Sequence, residues 1–191
     1  MHTQRDPEQA PAAWLKEHQQ SGTTQQAALD FFDSLPVVAV DSLLGRWRGG
    51  GLPTEHPLDG MLEEYGWYGK EFVTPDSVHP LLFWNARGAI IAVDSRFLPI
   101  GAVLKVRKGN RVLRALFSVL RPILRTTQPR ARLRMMEHRG KVSATMIYDF
   151  LPIHDVFRRV DADTLLGLMD LRGMAAPFFF VLRRDQPADA L

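Results

Sequence analysis

The 191-residue sequence contains no cysteine. This absence excludes disulfides, thiolate metal ligands and cysteine nucleophiles. The sequence also lacks the run of ~20 apolar residues that a membrane-spanning helix needs. Its first residues, MHTQRDPEQAPAAW, lack the apolar core of a secretory signal. We therefore expect a soluble, cytoplasmic protein.

Common catalytic and metal-binding motifs are missing as well. There is no HxH, HxxxH or HExxH for a metal, no GxSxG or SxxK for a nucleophile, and no GxxxxGK[ST] for a phosphate. We predict no metal site and no cofactor. Asp149, His154 and Asp155 are weak acid/base candidates. Neighbours in a strand point to opposite faces, so at most one of His154 and Asp155 faces an interior unless Pro152 turns the chain.

Charge is distributed unevenly along the chain. Hydrophobic residues make up 46% and charged residues 24%, as in ordinary globular proteins, and the net charge is +3. Yet Lys105 to Lys141 contains twelve basic residues and a single acid, Glu137. This segment predicts either a basic face that attracts anionic lipids, nucleic acids or acidic ligands, or an ordinary solvated surface.

Local patterns indicate a short N-terminal helix followed by many strands. Residues 1–22 read as a flexible arm with one short helix around Trp14, 23–184 as one domain and 185–191 as a tail. A capping box of Thr23 and Gln26 begins a helix that ends before Pro36. Turn sequences 85-NARG-88 and 138-HRGK-141 predict hairpins. The predicted strands are 37-VVAV-40, 81-LLFW-84, 89-AIIAVD-94, 132-RLRMME-137, 142-VSATMIY-148, 164-TLLGLM-169 and 178-FFFVLR-183.

The segment 111-RVLRALFSVLRPILR-125 has a helical period instead. Its leucines and Phe117 share one stripe, and its arginines gather on another arc. Pro122 should kink or end the helix near residues 120–121. Such a helix is either a lid or membrane-surface element, or a helix packed on the sheet with its arginines in water. The candidates for contact with an anionic head group or membrane are Arg111, Arg114, Arg121 and Arg125.

Aromatic residues cluster with glycines, as in 45-GRWRGGG-51 and 64-EYGWYGKEF-72. Glycine beside an aromatic ring indicates a sharp bend or a close backbone approach. The aromatic residues in or beside strands could fill a core or line a cavity for one small ligand. The candidate ligand contacts are Trp67, Tyr68, His79, Trp84 and Tyr148.

Several stretches resemble the bacterial GXWXG family and the domain of unknown function that follows it. The first match is carried by 45-GRWRG-49, 56-HPLDGMLEEYGWYGKEF-72 and 78-VHPLLF-83. The second is carried by 140-GKVSATMIYDFLPIHDVFRRVDADTLLGLMDLRG-173 and 178-FFFVLRR-184. The two parts span about 30–100 and 131–184, and residues 102–130 match no family motif. By analogy with calycin barrels, the resemblance implies that Gly45, Trp47 and Gly49 close one barrel end.

We therefore predict a mainly β fold: one antiparallel calycin-like β-barrel with an N-terminal helix and an inserted basic amphipathic helix. The leading functional hypothesis is binding of a fatty acid or phospholipid inside the barrel, with exchange at a membrane surface. The alternative is an enzyme for a small apolar substrate that uses Asp149, His154 or Asp155 as acid or base. Nucleic-acid binding rests on charge alone, because 132-RLRMME-137 lacks the interleaved aromatics of a stacking platform.

Overall fold

The computed structural model describes residues 9–98, 101 and 109–185. This part of the chain contains a nine-stranded antiparallel sheet and four α-helices. The helices are α1 (Gln9–Ser21), α2 (Gln25–Ser34), α3 (Met61–Glu64) and α4 (Arg111–Leu120). The strands are β1 (Gly45–Gly51), β2 (Trp67–Thr74), β3 (Ser77–Trp84), β4 (Ile90–Ala92), β5 (Ala131–His138), β6 (Lys141–Tyr148), β7 (Ile153–Asp161), β8 (Thr164–Leu171) and β9 (Phe178–Arg184).

The sheet closes on itself. Its order is β2-β1-β9-β8-β7-β6-β5-β3-β4, and β2 also pairs with β3, so every strand except β4 belongs to a ring. Closure is uneven, because β5 and β6 share eight residue pairs whereas β3 and β5 share one, Val78 with Ala131. The prediction of a mainly β, antiparallel fold is confirmed, and the β3–β5 contact is the weakest seam of the ring.

Two apolar cores result from this arrangement. One fills the ring with side chains such as Phe72, Phe157 and Phe180. The other lies outside β7, β8 and β9, where α1 and α2 cover Val156, Leu166, Leu168, Phe179 and Val181. Strands buried on both faces read as continuous apolar runs, which explains 178-FFFVL-182.

Within the predicted N-terminal arm, the helix expected around Trp14 forms and packs against the rest of the protein. Residues Gln9–Ser21 form α1, and Leu15 is only 1% exposed. The ring of Trp14 stacks on Phe31 of α2 with centroids 3.9 Å apart. A single buried leucine among polar residues gives a weak helical period, so the sequence pattern did not reveal this packing. Of the predicted tail, only Asp185 lies within the described residues.

Of the other local predictions, the two hairpins and the end of α4 are confirmed, whereas the capping residue of α2 and the strand at residues 37–40 are wrong. Both predicted hairpins form, and the β5–β6 turn has Arg139 and Gly140 at positive φ. Helix α2 is capped by the Thr24 hydroxyl, which accepts from the Ala27 amide, and not by Thr23. Residues 37–40 make one isolated bridge at Val37 instead of a strand. Helix α4 ends at Leu120, as Pro122 predicts.

Two glycines allow close contacts between neighbouring strands of the ring at Trp67 and Trp47. A Cβ on Gly49 would lie 2.1 Å from the ring of Trp67, and a Cβ on Gly69 would lie 1.9 Å from the carbonyl oxygen of Trp47. Gly69 also has φ +151, which other residues rarely adopt. Gly49 therefore marks a close approach of backbone and indole, and Gly69 marks a close approach of two backbones.

Trp47 lies in β1 in register with Lys70 of β2 and Arg184 of β9. It is fully buried, and its Nε1 donates to the Leu43 carbonyl over 2.6 Å. The guanidinium of Arg184 lies 4.2 Å from the Trp47 ring centroid and donates to the carbonyls of Ser42 and Leu44. Arg184 therefore holds Trp47 in place, and the closing of one barrel end by Gly45, Trp47 and Gly49 stays a prediction.

Candidate functional site

The ring interior contains a buried ion pair. Lys70 Nζ of β2 lies 2.8 Å from Asp155 Oδ2 of β7, and the two side chains are 3% and 2% exposed. The strands β1, β9 and β8 separate β2 from β7 in the sheet order. The pair therefore crosses the interior instead of bridging neighbouring strands. Burying two charges costs several kcal/mol per ion before their attraction is counted, so such a pair is an expensive feature.

Polar and aromatic groups surround the Lys70 ammonium. It donates to the Pro80 carbonyl over 3.2 Å and to the Tyr148 hydroxyl over 3.4 Å. The rings of Trp67, Tyr148 and Phe180 have centroids 5.7, 5.6 and 5.0 Å from Nζ. Aromatic faces stabilise a cation most strongly where water is excluded. We call Lys70, Asp155, Tyr148 and Trp67 the interior cluster.

Burial shifts the pKa values of the acidic groups in this cluster. Burial raises the pKa of the Asp155 carboxyl, and the Lys70 ammonium partly opposes that rise. Burial also raises the pKa of the Tyr148 hydroxyl well above its usual value, and the Asp155 charge adds to the effect. Tyr148 is consequently a hydrogen-bond donor at neutral pH. Asp155 holds a proton more readily than an exposed carboxyl does.

Two polar atoms of the interior cluster have no hydrogen-bond partner among the described residues: Asp155 Oδ1 and Trp67 Nε1. One is an acceptor and the other a donor. A buried unpaired polar group costs about 1–3 kcal/mol. The arrangement is thus suited to a bound group that both donates and accepts hydrogen bonds.

Trp67 and Tyr148 of the cluster lie towards the end of the ring at which β2 begins, whereas Lys70 is the direct cross-strand neighbour of Trp47. Trp67 begins β2 and Tyr148 ends β6, and in this antiparallel arrangement the start of β2 and the end of β6 lie at the same end of the ring. Tyr65, which follows α3, and Phe117 of α4 cover this end of the ring, with ring centroids 5.6 Å apart. Phe117 also contacts Phe83 of β3, at 5.3 Å. Helix α4 therefore packs over the end of the ring at which β2 begins.

The structure divides the five predicted ligand contacts between two faces. Trp67 and Tyr148 point into the ring. Tyr68 and Trp84 pack against each other outside it, at 5.0 Å between centroids, and the Tyr68 hydroxyl donates to Asp185. Burial and the Asp185 carboxylate raise the pKa of Tyr68 to about 12. His79 lines a surface groove of about 410 Å³ with residues that include Arg46 and Glu71.

The three acid/base candidates also separate. Asp155 faces the interior, on the same side of β7 as Ile153 and Phe157. Its neighbour His154 lies on the other face, as strand geometry requires. Asp149 is half-exposed in a loop, 3.9 Å from Arg132. The interior thus contains one of the three.

Sequence reasoning missed Lys70. The available signal was its spacing from Phe72, since alternate residues of a strand share a face. Trp67 is three positions from Lys70, so regular alternation would place it on the opposite face of β2. It still points inward, because the β2–β3 register shifts between Trp67 and Gly69 and again between Gly69 and Glu71. A β-bulge of this kind cannot be located from hydrophobic alternation.

The four arginines predicted to contact a head group do not share one face. Arg111, Arg114 and Arg125 are exposed. Arg121 is buried, and donates to the backbone carbonyls of Tyr65 and Trp84. Its guanidinium lies 5.0 Å from the Phe117 ring centroid, and burial lowers its pKa. Arg121 therefore fastens α4 to the ring.

Among the helices of the described residues, none is long and apolar enough to cross a membrane. Over the same residues, no group of three or more His, Asp or Glu side chains is placed to hold a metal ion.

Comparison with known proteins places the chain in a family. The model described as "GXWXG protein" matches residues 30–88, and the model "Domain of unknown function (DUF4334)" matches residues 129–184. A structure described as the crystal structure of a protein from Thermomonospora curvata is 33% identical, with a TM-score of 0.69 over 93% of this chain and 99% of that one. A search of curated proteins finds no match. The chain belongs to the GXWXG protein family, with the GXWXG segment followed by the DUF4334 domain.

Proposed function

We propose that this protein binds a small amphiphilic molecule inside the ring, and that the ring is a β-barrel of the calycin type. The observation that carries the proposal is that two buried atoms, Asp155 Oδ1 and Trp67 Nε1, have no hydrogen-bond partner within the part of the chain that the structure describes. A carboxylic acid or alcohol group supplies both a donor and an acceptor. The Tyr148 hydroxyl, which accepts from Lys70, provides a further donor.

A single-chain amphiphile such as a fatty acid fits this cluster better than a phospholipid does. A phosphate would add a full negative charge beside the Asp155 carboxylate, and like charges in a buried site repel strongly. A carboxyl group can share a proton with Asp155, whose pKa is raised. The aromatic interior, with Phe72, Phe157 and Phe180, provides apolar contact for the acyl chain of the ligand.

The test starts with protein purified from cells, which is denatured and extracted so that any retained molecule can be identified by mass spectrometry. The delipidated and refolded protein is then titrated with a fluorescent fatty acid. Micromolar binding supports the proposal. If nothing is retained and the fluorescent fatty acid does not bind, the proposal is wrong.

Two tyrosine variants locate the site. Tyr148→Phe removes a hydroxyl from the interior cluster, so binding should weaken about tenfold, the value of one hydrogen bond to a charged or strongly polar group. Tyr68→Phe is the matched control, because Tyr68 is equally buried but lies outside the ring. Equal effects of the two substitutions would contradict binding at the cluster.

A second candidate is an enzyme that uses Asp155 as general acid or base on a small apolar substrate. The raised pKa of the Asp155 carboxyl favours this, since an acid/base group works best with a pKa near the working pH. If so, the Asp155→Asn variant purified from cells should retain unconverted substrate, whereas the natural protein should retain product. Identical extracts from the two proteins would exclude catalysis by Asp155.

A further inference from the structure

Helix α4 and the turn after it place their apolar residues on two sides. Leu113, Phe117 and Leu124 are partly buried, and Phe117 and Leu124 pack against the core of the ring. The remaining large apolar residues point to solvent, with exposures of 77% for Val112, 50% for Leu116, 71% for Val119, 38% for Leu120 and 78% for Ile123. We call these five residues the outer face. Five large apolar side chains exposed next to one another are unusual on a protein surface, and such a patch commonly marks an interaction site.

The charged residues of the segment that carries the outer face have one sign. Residues 109–125 include Arg111, Arg114 and Arg125 at the surface and contain no acidic residue. Among the described residues, Glu64 supplies a counter-charge, with its carboxylate 3.8 Å from Arg114. An apolar strip bordered by arginines complements an anionic lipid surface, where the side chains enter the acyl boundary and the guanidinium groups meet phosphates.

We propose that the outer face docks this protein on anionic phospholipid bilayers. The packing of Arg121 against Tyr65 and Trp84 holds α4 with this face turned away from the ring. A second copy of the chain is the competing occupant, but a two-fold contact places each patch against itself and would bring like-charged arginines together. The docking goes beyond the proposed function, because it needs no ligand inside the ring.

The experiment is co-sedimentation of the full chain with vesicles of phosphatidylcholine alone or mixed with phosphatidylglycerol. We expect binding to the mixed vesicles, weakened by salt because exposed charges are screened. Arg111→Gln and Arg125→Gln should each weaken it about fivefold, the effect of one cationic residue at an anionic surface. Val119→Asp should abolish it.

Val142→Asp is the matched control, since Val142 is also exposed, at 53%, but lies on β6. It should bind mixed vesicles as the natural protein does. Urea denaturation of each variant shows that the fold is retained. Equal binding by Val119→Asp and Val142→Asp would overturn the proposal. So would a dimer detected by light scattering that Val119→Asp dissociates without any vesicle binding by the natural chain.

Discussion

At the scale of single residues, the Lys70–Asp155 pair shows how the ring tolerates charge in its interior. Lys70→Met leaves Asp155 buried beside aromatic rings without its partner. We expect the free energy of unfolding to fall by about 3–5 kcal/mol, because breaking a buried pair strands one charge. The double variant Lys70→Met/Asp155→Leu removes both charges and should recover most of that loss. Urea denaturation of the three proteins measures this, and an additive double variant would contradict the coupling.

Gly49 tests the close packing of the wall. Gly49→Ala places a Cβ 2.1 Å from the Trp67 ring. Trp67 must then shift, and overpacking of this kind costs about 1–3 kcal/mol. Gly50→Ala is the control, because the nearest atom to its Cβ is 3.8 Å away on Gln19. Thermal unfolding should separate the two variants, and equal midpoints would show that the wall accommodates the methyl group.

At the scale of elements, Arg121 decides whether α4 stays on the ring. Arg121→Met keeps the apolar stem over Phe117 but removes the hydrogen bonds to the Tyr65 and Trp84 carbonyls. The helix has no buried residue of its own, so we expect it to detach locally while the sheet remains folded. Hydrogen exchange should accelerate across Arg111–Leu120 and stay slow in β7 and β8. Arg125→Met, at an exposed position, should leave exchange unchanged.

The elements also show what the sequence reveals and what it leaves open. Local signals predicted both hairpins, the helix that became α2, and the end of α4 before Pro122, because turn and cap residues act within a few positions of themselves. The meeting of Lys70 with Asp155 depends on ring closure and on the register shifts in β2. Those are long-range properties, so Asp155 was one of three weak candidates and Lys70 was not predicted.

At the scale of the whole molecule, the two family segments build one ring. Strands β1 to β4 come from the first segment and its flank, and β5 to β9 come from the second. They join at β1–β9, with five residue pairs, and at β3–β5, with one. The interior cluster takes Lys70 and Trp67 from one segment and Asp155 and Tyr148 from the other. Neither segment alone contains the site, so its chemistry depends on the folding of the full chain.

The stability of the whole chain should fall as pH drops below neutrality, and His56 is one cause. Its imidazole is buried against Phe178, and its Nδ1 accepts a hydrogen bond from the Leu58 amide. Burial lowers the pKa of His56, and it lowers the pKa of His138 in the same direction. Below the unfolded-state pKa of about 6.5, the unfolded chain therefore binds protons that the folded chain does not, so acid favours unfolding.

Urea midpoints measured between about pH 7.5 and 5.5, above the range in which most carboxylates titrate, isolate this effect. Each histidine contributes a slope of at most about 1.4 kcal/mol per pH unit, the value for one full proton. His56→Gln and His138→Gln should each flatten the decline, and the double variant should flatten it further, whatever the substitutions cost at neutral pH. The slope is the deciding quantity, because a loss of packing alone shifts the whole curve without changing its pH dependence. An unchanged slope in the double variant would show that neither imidazole remains neutral in the folded protein.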